Sequence, residues 1–244
     1  MNLTVLNLST KIQDAEFQRA LTAIGRQVRE HFEPEWGASA VLRGIRTSLK
    51  GKAPIQGSQQ AVIYVGDSSQ DPTTGVKPAL GYHSSNHSTI PYGFVYLNVC
   101  EKYGELWTTT LSHEVLELLA DPDAVLTVAA PGPRGSATVY YDLEVCDPVQ
   151  GDSYAIDGVL AANFVGRSYF GMSGGSGRTN YLGLPLDAFG VRPGGYFQYE
   201  SRTGSHQIWG KDVTDAQKKA KNLMKNGRRN HRRAERQHHR KGER

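Results

Sequence analysis

Within the segment 111-LSHEVLELLADP-122, the ionisable residues His113, Glu114, Glu117 and Asp121 fall close together in a run otherwise rich in leucine. At about 100° per residue, a helix here sets Glu117, Asp121 and Glu114 about 40°, 80° and 100° around from His113. Leu111, Val115, Leu116, Leu118 and Leu119 then occupy the opposite face. An imidazole and a carboxylate four residues apart point the same way, one turn apart. That spacing suits a nitrogen and an oxygen meeting on one divalent cation. Glu114, beside the first of them but rotated away, is placed as a general base for a metal-activated water. Zinc brings the pKa of such a water to about 7 and polarises a scissile carbonyl. The competing reading is the solvated side of an amphipathic helix, which any Glu-rich helix produces.

A zinc site needs further donors. The segment 141-YDLEVCDPV-149 reads as a strand with Asp142 and Glu144 on one face and Asp147 entering a turn. Glu144 is the first choice for a third metal ligand, with Asp147 and Asp121 as alternatives; Asp147-Pro148 also suits a plain turn. His83, in 80-LGYHSSNH-87, is a candidate ligand or a catalytic donor to a developing oxyanion, against the ordinary role of a histidine at a strand end. His87 lies in a polar loop. Cys100 and Cys146 are too few for a disulfide scaffold and lack the CxxC spacing of a thiolate metal site, although one disulfide between them stays open.

The elements that must position these groups follow from periodicity. Residues 2–9 alternate like a strand. Phe17, Leu21, Ile24 and Val28 give a helix from Ala15 to Phe32 that ends before Pro34. Strand-like runs follow at 38–45, 60–66, 78–83 and 92–100, separated by Pro, Gly, Ser and Asn clusters. The helix Trp107 to Ala120 is closed by Asp121-Pro122, and a strand spans 137–149. Residues 171–210 are Gly- and aromatic-rich loops and short strands. The segment 171-GMSGGSGR-178 lacks the GxxxxGK[ST] spacing of a phosphate loop and reads as a flexible loop. This order predicts an α+β (mixed α/β) fold.

Charge divides the chain into 1–210 and a basic tail, 211–244. Lys218 to Arg244 holds 12 Lys/Arg against Glu235 and Glu243, so the totals of 28 basic and 24 acidic residues leave 16 and 22 for 1–217. A mildly acidic body thus carries a tail suited to phosphate backbones or another polyanion. Its histidines, His231, His238 and His239, read as part of a solvated tail. The start lacks the pattern of a secretory signal, and no run of about 18 apolar residues occurs, so the expectation is a soluble protein without a membrane partner, cytoplasmic or virion-associated.

The order of strand, helix, several strands and an HE-bearing helix resembles the N-terminal half of the zincin metallopeptidases, in which the helix carries HExxH. Here Glu117 stands at the second histidine, giving HExxE, a harder and more anionic variant. The resemblance implies a zinc-dependent peptidase with His113 and Glu117 as ligands and Glu114 as base. It implies also that Tyr92 to Cys100 is the edge strand that aligns a peptide substrate. The chain is similar as well to an uncharacterised family of bacteria and their phages, with HFEPEWG (31–37), LGYH (80–83), IPYGFVY (90–96), LSHEVLELLADP (111–122), EVCDPV (144–149), NFVGRSYF (163–170) and RPGGY (192–196) in order. That likeness carries no activity, and it leaves open a non-catalytic, virion-associated or nucleic-acid-binding protein built on a degenerate metallopeptidase fold.

Overall fold

Leu3, Val5, Ile63, Val65 and Val95 are fully buried, which marks the strands that carry them as central ones covered on both faces. These strands are β1 (Asn2–Asn7), β3 (Gln60–Gly66) and β5 (Pro91–Tyr96); with β2 (Val41–Arg46) and β4 (Gly81–Ser85) they form a sheet of order β2-β1-β3-β5-β4. β1 pairs parallel with β2 and β3, and β3 with β5, while β4 runs antiparallel at the edge. The structure is a computed structural model that describes residues 1–47, 60–68, 81–85 and 90–218, with backbone alone for Gln60 and 81–85. Residues 78–80 of the predicted run 78–83, His87 and the tail from 219 onward lie outside the described residues.

Helix α1 (Asp14–Gln27) buries Phe17, Leu21 and Ile24 and packs on β2. Gly44 of β2 permits this approach, since a Cβ there would lie 2.8 Å from the Phe17 ring. The helical path does not stop before Pro34 as the sequence predicts. It widens into a π-helical turn, Val28–Phe32, and resumes as α2 (Glu33–Trp36), ending at Gly37 with φ 71°. Pro34 has no N–H to donate, and the Glu33 N–H bonds five residues back to Val28 O, so the proline enters at the start of a new helical turn where no donor is needed. Burial of Phe32 and the hydrogen bond from Trp36 Nε1 to Val165 O (2.9 Å) draw the chain onward.

The run 92–100 is likewise not one strand. β5 ends at Tyr96, and Leu97–Tyr103 forms helix α3. β5 lies inside the sheet, so the edge position expected for this segment belongs to β4. Helix α4 (Trp107–Ala120) follows and packs against β5, β4 and α3. The rest is β-rich. A four-stranded antiparallel sheet has the order β11-β10-β7-β6, with β6 (Thr127–Gly132), β7 (Ser136–Asp142), β10 (Tyr196–Ser201) and β11 (Gly204–Trp209). Between them a hairpin of β8 (Ser153–Ile156) and β9 (Val159–Ala162) turns at Asp157-Gly158, both with positive φ, the arrangement that two-residue hairpin turns favour. β9 packs on α4 and α1. No helix among the described residues is long and apolar enough to cross a membrane.

Candidate metal centre

Thr110 to Leu119 of α4 are all buried, ten consecutive residues, so its polar stripe is not a solvated face. His113 is 8% exposed, Glu114 3% and Glu117 0%. The leucine side meets the β5 sheet, and β9 with the chain that follows β7 covers the remaining surface. A buried carboxylate and imidazole need specific partners, because burial without them costs several kcal/mol, roughly.

Those partners arrive from the segment after β7. The predicted strand 137–149 ends at Asp142; Leu143–Cys146 leaves the sheet and Asp147–Val149 forms a 3-10 turn. That departure brings Cys146 and Asp147 onto the His113 face. His113 Nε2 lies 3.1 Å from Glu117 Oε1 and 3.3 Å from Asp147 Oδ1. The Cys146 N–H donates to Glu117 Oε1 at 3.3 Å. Ligand atoms of His113, Glu117 and Cys146 all lie within 4.8 Å of one another, so this buried group is able to hold a metal ion.

The segment is clamped from behind. Val165 N–H donates to Val145 O (2.7 Å), and Arg192 N–H to Pro148 O (2.9 Å). The Arg192 guanidinium grips Asp152 at 2.5 Å. Gly195 lies so close that a Cβ would come within 2.9 Å of Asp147 O. The motif 192-RPGGY-196 thus serves to hold the turn that carries Cys146 and Asp147.

The electrostatics share one sign. Burial opposes a charged His113, but Glu117 and Asp147 outweigh it and hold its pKa well above the usual histidine value. Burial raises Glu117 to about 7, with Asp147 and Glu144 pushing the same way and His113 opposing. Burial, then Glu117, Asp147, Glu114 and Glu144, push the Cys146 thiol well above its ordinary range. Each group is driven toward its protonated form, and positive charge is what the cluster calls for.

Of the residues singled out in the sequence, His113 and Glu117 meet directly. From the 141–149 segment, Asp147 lies within reach of His113. Glu144, the first choice from the sequence, is buried and bears on Glu117 and Cys146 through its charge. Asp121 has a structural task, since its Oδ2 accepts the Leu126 N–H at 2.8 Å and shapes the turn that ends α4. Glu114 is buried one residue from His113 and acts on Cys146 by charge. His83 pairs by backbone with Gly93 on the edge strand that packs on α4; its side chain lies outside the described residues.

Three features escaped the sequence reading. Cys146 was set aside for lack of CxxC spacing, although it sits in an acidic run; both cysteines are free and buried thiols. A hydrogen-bond network also fixes α4 from its other side. Ser112 Oγ donates to Gln27 Oε1 (2.7 Å) and accepts the Ala162 N–H (3.0 Å), while Gln27 Nε2 donates to Ala162 O (2.8 Å) and Tyr154 Oη (3.0 Å). Tyr154 Oη, accepting from Gln27, also bonds His31 Nδ1 at 2.9 Å, in a direction set by the imidazole tautomer. Finally, the glycine-rich loop 171–178 does cradle an anion, but an internal one. Glu35, 8% exposed, accepts the backbone N–H groups of Arg167 (2.9 Å) and Ser176 (2.6 Å), and Gly175, with φ 70°, leaves room for its carboxylate.

No family model, curated protein or solved structure matches the chain.

Proposed function

We propose that the chain is a zinc-dependent hydrolase of peptide bonds, built on a zincin-like arrangement. The carrying observation is that His113 Nε2 faces two carboxylate oxygens of different residues, Glu117 at 3.1 Å and Asp147 at 3.3 Å. A cation bound beside the ring would meet the imidazole and both oxygens at once. The two spacings from His113 also fit, because donors about 2.0 Å from a tetrahedral ion stand about 3.3 Å apart. His113, Glu117 and Asp147 are the ligands in this reading.

When bound there, zinc supplies Lewis acidity and a water acidic enough to react near neutral pH. Glu114 takes the proton of the attacking water and delivers it to the leaving amine. The buried setting, with Leu116 and Leu118 behind the stripe, excludes bulk water and strengthens these charge interactions. β4, antiparallel at the sheet edge and packed on α4, offers an extended peptide a strand to pair with.

Metal content of the purified protein, measured by elemental mass spectrometry beside His113→Ala, tests the first half; the tail beyond Lys218 is removed from both, so that the count refers to this site alone. About one zinc per chain is expected, and its loss in the variant. Cleavage of an unfolded protein substrate, lost in Glu114→Ala with metal retained, tests the second. Equal cleavage by Glu114→Ala would sink the proposed mechanism.

A further inference from the structure

The residue beside Asp147 carries a thiol that lies with the His113 and Glu117 donors. We propose that Cys146 is a sulfur ligand of the same metal, making with His113 and Glu117 a mixed nitrogen, oxygen and sulfur centre that selects borderline ions such as zinc over magnesium, calcium or manganese. The inference rests on the metal-binding half of the preceding proposal and not on the hydrolytic half.

The geometry carries it. Ligand atoms of Cys146, His113 and Glu117 lie within 4.8 Å of one another. Around zinc, with bonds of about 2.3 Å to sulfur and about 2.0 Å to nitrogen or oxygen, such atoms stand about 3.5 Å apart. Side-chain rotation of about an ångström closes that gap, and the backbone has no need to follow. It is already fixed by the Cys146 N–H bond to Glu117 Oε1 (3.3 Å) and by the Val149 N–H bond to Cys146 O (3.1 Å). The thiol is wholly shielded, 0% exposed. Buried cysteines ordinarily act as small apolar residues, and Val145 and Val149 offer such a setting. A purely apolar role does not account for an imidazole and a carboxylate gathered round the sulfur.

The chemistry is consistent with the HExxE departure. Replacing an imidazole by Glu117 hardens the donor set and weakens its preference for zinc, and a thiolate restores that preference. Binding releases the thiol proton to solvent as the sulfur–metal bond forms.

The test uses full-length protein stripped of metal and loaded with Co²⁺, which reports sulfur ligation through an intense near-ultraviolet thiolate-to-metal charge-transfer band. The band is expected in the wild type and in Cys100→Ser, and absent from Cys146→Ser, whose visible ligand-field bands persist. Zinc affinity in Cys146→Ser should fall at least about tenfold, the scale on which supporting groups tune metal sites. X-ray absorption of the zinc-loaded wild type needs no variant and should show one sulfur at about 2.3 Å. One bound Co²⁺ with ligand-field bands, no charge-transfer band and only light scatterers round zinc would overturn sulfur ligation while leaving the metal site intact. No stoichiometric Co²⁺ or Zn²⁺ in the wild type would overturn the metal reading and this inference with it.

Discussion

Replacing Gln27 by leucine separates helix α4 from its hydrogen-bonded support without touching a candidate ligand. Gln27 is fully buried and meets Ser112 Oγ (2.7 Å), Ala162 O (2.8 Å) and Tyr154 Oη (3.0 Å). Leucine keeps the volume but leaves the Ser112 hydroxyl and the Ala162 carbonyl without their partner, while Tyr154 retains His31. At about 1–3 kcal/mol for each stranded group, less the gain from a buried leucine, the loss is about 2–4 kcal/mol. For a chain of this size that lowers Tm by about 5–15 °C. Urea unfolding followed by circular dichroism measures it. Ser112→Ala strands the Ala162 N–H and Gln27 Oε1, so each single variant counts the Ser112–Gln27 bond once. The double variant should therefore be less destabilised than the sum, by about 1 kcal/mol or more. Additive losses, or a Gln27→Leu loss below about 0.5 kcal/mol, would refute the claim that this network locks α4.

Glu35→Gln keeps the shape of the side chain but turns an amide N–H against one of the backbone donors of Arg167 or Ser176; about 2–3 kcal/mol should be lost, with trypsin cleavage after Arg178 accelerating as the glycine-rich loop loosens. Gly195→Ala places a Cβ 2.7 Å from the Pro148 carbonyl carbon at a residue with no positive φ, so the effect is one of space alone: about 1–3 kcal/mol in denaturant unfolding, with reduced metal occupancy as the 146–147 turn shifts. Asp67 supplies the pH dependence. Burial works to raise its pKa, but the hydroxyls of Ser9 and Thr10 and the Thr10 N–H outweigh it, so the folded value lies below the unfolded one. The unfolded state then binds more protons, and this stability is complete above the unfolded value near 3.9 and fades as pH falls through the folded value. Acid unfolding of Asp67→Asn should lack that component; identical acid profiles for the two proteins would contradict it.

The mixed α/β class, the helix around 107–120 and the meeting of His113 with Glu117 were legible because each follows from local periodicity. What the sequence hid was set by distant chain. The leucine spacing of α4 looks amphipathic, and only β9 and the segment after β7, some thirty or more residues away, reveal that the polar stripe is covered too. Alternation favoured Glu144 over Asp147 on the assumption that the strand ran to 149. Once the chain leaves the sheet after Asp142, that alternation no longer says which side chain faces α4. The helix through Pro34 was missed because a one-residue widening of the ladder makes room for a proline that an α-helix interior rejects. Cys146 lay in plain view, but single thiols announce themselves as ligands only through neighbours in space.

The burial of ten consecutive residues of α4 has a kinetic consequence. Fraying of this helix cannot open the candidate metal pocket, because each of its faces is sealed by a different element. The amides of residues 110–119 should exchange with deuterium only on near-global unfolding, among the slowest in the chain. An ion bound in the candidate centre would then pass through the other wall, the short turn of Cys146 and Asp147. The rate at which that turn opens, rather than any motion of the helix that carries His113, would govern how fast the centre fills and empties.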